Sequence, residues 1–161
     1  MSVIFNIDEV LQMAAQIELN GARFYRTAAE SNEEGRELLT QLAEEEDQHF
    51  KIFESLRQNL ATPLSGETAY DPDNQVLLYL QVMANEHVFD MNDAEKMVTD
   101  AHTLKDIIKI ALQAEKDSIA FFVGLKELVP QKAGKERMGQ IIREEMSHIK
   151  WLSDKVKEME L

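Results

Sequence analysis

Proline occurs in this chain only at positions 63, 72 and 130, and glycine only six times in 161 residues. The long stretches between those breakers are rich in Ala, Leu, Glu, Gln, Lys and Met, residues that lose little freedom on entering a helix. An all-α fold is therefore expected. An apolar content of 44% is enough for one well-formed core in a chain of this length, so residues 1–161 are read as a single domain.

Hydrophobic periodicity and capping signals place four long helices. The first runs from about 7 to 30, with Asn6 as N-cap, Glu9 at the reciprocal capping position and Leu11, Ala14, Ala15, Ala22 and Tyr25 on its apolar stripe. After a short turn at Ser31 to Glu34, the second continues to about 59 and turns Leu38, Leu39, Leu42, Phe50, Phe53 and Leu56 inward. Pro63 and Gly66 then break the pattern. A shorter helix is expected within about 73 to 90, followed by an irregular stretch over 91–102. Thr103, with Asp106 behind it, opens the third long helix, which stops near Pro130; the fourth spans about 134 to 158. Short turns make each consecutive pair an antiparallel hairpin. The long connection between them spans the bundle, giving a four-helix bundle with one crossover that contains a short helix.

Several functions are disfavoured by composition. A net charge of −13 without a basic stripe repels phosphate backbones, so nucleic acid is not an expected partner. The absence of cysteine removes disulfides, thiolate metal sites and thiol nucleophiles, and fits a cytoplasmic setting. Neither a signal sequence nor a membrane span is evident, so no membrane partner is expected.

The two hairpins resemble one another. "ELNGARFY" from Glu18 and "EKDSIAFF" from Glu115 share an acid, a small residue at +3 and an aromatic pair at +6 and +7. Each is followed in the next long helix by Glu-x-x-His, as Glu46 and His49 and as Glu145 and His148. All four acids fall within apolar stripes and near mid-helix. Glu45 and Glu144 also reach the histidines at i,i+4, but their polar neighbours put them at the stripe edge.

Four carboxylates buried together would cost several kcal/mol each and repel one another unless positive charge offsets them. Two divalent cations balance four carboxylates, and two imidazoles complete the donors. On this geometry Glu46 and Glu145 bridge the ions, Glu18 and Glu115 each terminate one, and His49 and His148 each ligate one. Oxygen and imidazole donors without thiolate favour iron or manganese. Gly21 and Ser118 leave room for an exogenous ligand. Tyr25, one turn beyond Gly21, suits core packing with a hydrogen-bonded hydroxyl first, and a catalytic role second, as a donor to the metal ligands or a redox-active phenol. His87 and His102 lack such partners and are assigned to the crossover helix and a loop.

Over most of residues 7–158 the chain resembles ferritin-like di-iron carboxylate proteins, most closely the rubrerythrin type, through Glu18, Glu46-x-x-His49, Glu115 and Glu145-x-x-His148. The resemblance implies two iron ions, oxo- or hydroxo-bridged when oxidised, with manganese or zinc as substitutes. It also implies reaction with hydrogen peroxide or dioxygen. This chain departs from rubrerythrins in two respects. It lacks the cysteines of a rubredoxin module, so electrons would come from a separate donor protein; and Ser118 stands where rubrerythrins carry a further glutamate. Peroxide reduction is the first functional expectation, a ferroxidase or iron-handling role the second, and a helical interaction module with a vestigial metal site the third. Hairpins on a long connection can exchange between chains, so a homodimer is expected.

Overall fold

The computed structural model describes residues 6–60, 71, 73–87, 91–130 and 132–160, without side chains at 60, 85–87 and 91–95. Six helices follow in chain order: α1 (Ile7–Ser31), α2 (Arg36–Leu60), α3 (Gln75–His87), α4 (Met91–Asp100), α5 (Leu104–Leu128) and α6 (Lys132–Glu160). The described residues include no strand.

The helix starts follow local chemistry. Asn6 accepts from the Glu9 amide at 2.9 Å while Glu9 accepts from the Asn6 amide at 2.8 Å, a complete capping box. Thr103 caps α5 by accepting from the Asp106 amide at 3.1 Å. At 25 residues each, α1, α2 and α5 are roughly 37 Å long. α1 packs along α2 and α5 along α6, while α1 meets α5 and α2 meets α6 across the bundle. The ferritin-like arrangement of two hairpins is thus the observed one.

The connection between hairpins differs from expectation at one point: residues 91–100, expected to be irregular, form α4. Among its described side chains only Val98 is buried, against α1 and its neighbours. α3 lies on α5, where Leu80 is fully buried and the Tyr79 hydroxyl donates to the Ala120 carbonyl at 2.6 Å. Gly124 makes this approach possible, because a β-carbon there would come within 2.7 Å of the Tyr79 ring. The pattern break at Pro63 and Gly66 and the His87 side chain lie outside the described residues. His102 is exposed in the turn before α5, as expected.

The apolar core is in two parts. One contains Val10, Leu11, Phe53, Phe121, Phe122, Met138 and Ile141; the other contains Phe24, Tyr25, Leu39, Leu42, Ile107, Ile108 and Leu152. Antiparallel packing brings the start of α1 and α5 to the end of one partner and the middle of all four helices to one level. Glu18, Glu46, Glu115 and Glu145 occupy that level, between the two apolar parts. Among the described residues no helix is long and apolar enough to cross a membrane.

Candidate metal centre

The structure brings all six expected ligand residues into the middle of the bundle. Their exposures are 1% for Glu18, 4% for Glu46, 1% for His49, 3% for Glu115, 1% for Glu145 and 0% for His148. Donor atoms from Glu18, Glu46, His49 and Glu145 all lie within 4.8 Å of one another, as do those from Glu46, Glu115, Glu145 and His148. The two sets share Glu46 and Glu145, one acid from each Glu-x-x-His turn. Each set draws on both hairpins.

The imidazoles face inward through Nδ1. His49 Nδ1 lies 2.8 Å from Glu145 and 3.5 Å from Glu18; His148 Nδ1 lies 3.4 Å from Glu46 and 3.5 Å from Glu115. The rings stack with centroids 5.8 Å apart. On the outer edge, Nε2 of His49 donates to Glu144 at 2.7 Å and Nε2 of His148 donates to Glu45 at 2.9 Å. In the neutral rings that would ligate a metal, carboxylates at Nε2 select the tautomer whose Nδ1 lone pair points to the centre.

Charge is concentrated here beyond what the side chains can balance. Burial raises the carboxyls of Glu46 and Glu145 well above the ordinary range, and neighbouring carboxylates raise them further. Burial pushes Glu18 up to about 7, with Glu115 adding to the effect. Burial also acts upward on Glu115, but contacts with Glu145, His148 and Tyr25 outweigh it and hold this carboxyl below its usual value. Burial alone would lower His148, yet Glu115 and Glu46 raise it to about 11. In the metal-free protein, the upward shifts of Glu18, Glu46, Glu145 and His148 favour protons on those groups, which would offset the charge while Glu115 stays ionised.

Both oxygens of Glu18, Oε1 of Glu145 and Nδ1 of both histidines are buried without a hydrogen-bond partner. Buried polar atoms are rarely left so. Five such atoms converging in two overlapping sets fit a pair of cations, and the oxygen and imidazole donors fit iron.

Adjacent residues complete the centre. The Tyr25 hydroxyl donates to Oε1 of Glu115, and burial raises the phenol well above its normal value. Gly21 faces Glu46, and a β-carbon there would stand 3.4 Å from its carboxylate, at ordinary van der Waals contact. Ser118 is buried, and its hydroxyl donates to the Ala114 carbonyl at 2.9 Å within its own helix. Glu45 and Glu144 are the residues whose part sequence reasoning missed. They sit at the stripe edge as expected but bond the histidine of the opposite hairpin, not their own. The signal available was the repeat itself, in which an acid directly precedes Glu46 and Glu145 alike.

A helical bundle with two overlapping carboxylate and imidazole sets at its middle belongs to the ferritin-like di-iron class. The rubrerythrin family model matches residues 9–155, and the chain belongs to the rubrerythrin family. No curated protein and no solved structure matches it.

Proposed function

We propose that Glu18, Glu46, His49, Glu115, Glu145 and His148 hold two iron ions and that the centre reduces hydrogen peroxide to water. Glu46 and Glu145, common to both donor sets, would serve both ions, while Glu18 with His49 would complete one position and Glu115 with His148 the other. The observation carrying this reading is the convergence of unpartnered buried donor atoms in two sets sharing two carboxylates. Membership of the rubrerythrin family supports peroxide as the oxidant.

When bound, a pair of ferrous ions supplies two electrons, one from each, to the peroxide bond. The balance is H2O2 plus two electrons and two protons giving two waters. This chain's residues hold the ions, keep bulk water from them and manage protons. Tyr25 keeps its proton at the phenol oxygen, directed at Glu115, because burial and the surrounding carboxylates oppose ionisation. Electrons return from a donor outside residues 1–161, which hold no cysteine for a second iron centre.

A ferroxidase role is the second reading. It is favoured by Ser118, whose hydroxyl is committed to its own helix, and by acids lining the groove between α2 and α6, among them Glu34, Glu37, Asp154 and Glu158. Anaerobic loading with Fe2+, followed by peroxide or oxygen, separates the alternatives. Fast consumption of one peroxide per two Fe2+, followed in the near-ultraviolet charge-transfer absorption of oxidised iron, is the expected result. Faster reaction with oxygen, with iron uptake continuing past two ions per chain, would establish the ferroxidase instead. Failure to bind iron would leave a helical interaction module.

A further inference from the structure

Glu45 and Glu144 precede Glu46 and Glu145 in the chain but stand outside the core, 32% and 39% exposed. Helical spacing would direct each to the histidine four residues later on its own helix. Both instead cross the gap between the hairpins: Glu144 of α6 accepts from His49 of α2 at 2.7 Å, and Glu45 of α2 accepts from His148 of α6 at 2.9 Å. Nδ1 of each ring is left unpartnered and facing the centre. A neutral imidazole carries one proton, and a carboxylate holding that proton on Nε2 makes Nδ1 the donor to a metal.

We propose that Glu45 and Glu144 are crossed positioning residues, Glu144 setting His49 for the metal position shared with Glu18 and Glu45 setting His148 for the position shared with Glu115. The inference rests on the two-metal reading above. It makes each position depend on an acid carried by the opposite hairpin, in addition to the shared Glu46 and Glu145. Loss of one crossing acid then weakens one position selectively.

Trp151 supplies an internal reporter. It is the only tryptophan in the chain, and its ring lies 5.6 Å from that of His148. Co2+ at the His148 position is expected to quench its fluorescence more strongly than Co2+ at the His49 position. Equilibrium dialysis gives total Co2+ bound, and fluorescence titration resolves the His148 position. Glu45→Ala is expected to weaken the quenching Co2+ by about 10- to 100-fold while moving the other much less. Glu144→Ala is expected to do the reverse.

Two further kinds of substitution at each position separate orientation from charge. Glu45→Gln and Glu144→Gln keep an oxygen that accepts from Nε2 and are expected to recover most of the affinity. Glu45→Asp and Glu144→Asp keep the charge but are one methylene shorter, and are expected to behave like Ala; they also carry the comparison if an Ala variant fails to fold. Equal weakening of both positions, no weakening of either, or rescue by Asp but not Gln would overturn the inference while leaving the two-metal reading standing. If the parent protein binds no Co2+, that reading falls and the inference with it.

Discussion

Glu46 carries the sharpest conflict at the scale of single residues. It is 4% exposed, and its charged form is opposed first by burial and then by Glu18 and Glu115. Such a group costs the metal-free protein stability at neutral pH, because the folded state must either pay for a buried charge or take up a proton. Glu46→Gln is therefore expected to stabilise the metal-free chain by about 1–3 kcal/mol, while removing a donor common to both metal positions. Thermal unfolding in chelator and with added Co2+ checks both halves: the variant should melt higher in chelator and gain far less from metal. Tyr25 gives a different expectation. Tyr25→Phe removes the proton donor to Glu115 but none of the six donors, so two Co2+ should still bind. Single-turnover peroxide consumption by the iron-loaded variant should slow by about 10-fold, the worth of the hydrogen bond that holds Glu115 in place. An unchanged rate with intact metal binding would reduce Tyr25 to a packing residue.

Among the helices, α3 depends on a glycine. Its Tyr79 lies over Gly124 of α5, and a β-carbon there meets ring atoms at 2.7 and 2.8 Å and Leu80 at 3.1 Å. Gly124→Val is expected to push α3 outward, break the Tyr79 bond to Ala120 and cost about 1–3 kcal/mol, read as a lower midpoint in denaturant with metal binding retained. The ease with which elements are read from sequence follows the same physics. The long helices were legible because each carries a wide apolar stripe and, at Asn6 and Thr103, a side-chain cap that local sequence fully specifies. The place of Glu18, Glu46, Glu115 and Glu145 was legible because acids inside such stripes are conspicuous. α4 was not: it is only 10 residues long, and among its described side chains Val98 alone is buried. The crossed bonds of Glu45 and Glu144 were not either: spacing along one helix describes that helix, whereas their partners are fixed by how far apart α2 and α6 stand.

For the molecule as a whole, the two apolar parts of the core are joined through a layer of buried acids and imidazoles, so stability should follow the charge state of that layer. Glu18 rises from 4.5 to about 7 on folding; its contribution is fully present below 4.5 and is lost as pH rises through about 7. Glu46 and Glu145 shift in the same direction. His148 rises from 6.5 to about 11, so its contribution is present below 6.5 and is lost as pH rises through about 11. Glu115 opposes them, its contribution being lost only as pH falls through a value below 4.5. The metal-free protein should therefore be most stable near pH 5 and lose roughly 5–10 °C in melting temperature by pH 8.5. A surface with net charge −13 also repels itself more as pH rises, but that part is screened by salt whereas the buried layer is not. Measured in chelator at about 0.5 M salt, the decline should persist. With two Co2+ bound the cations replace the protons, and the decline should flatten or reverse. A flat profile in chelator at high salt would mean that the buried carboxylates are neutralised by something other than protons, and the case for cations at their centre would lose its electrostatic basis.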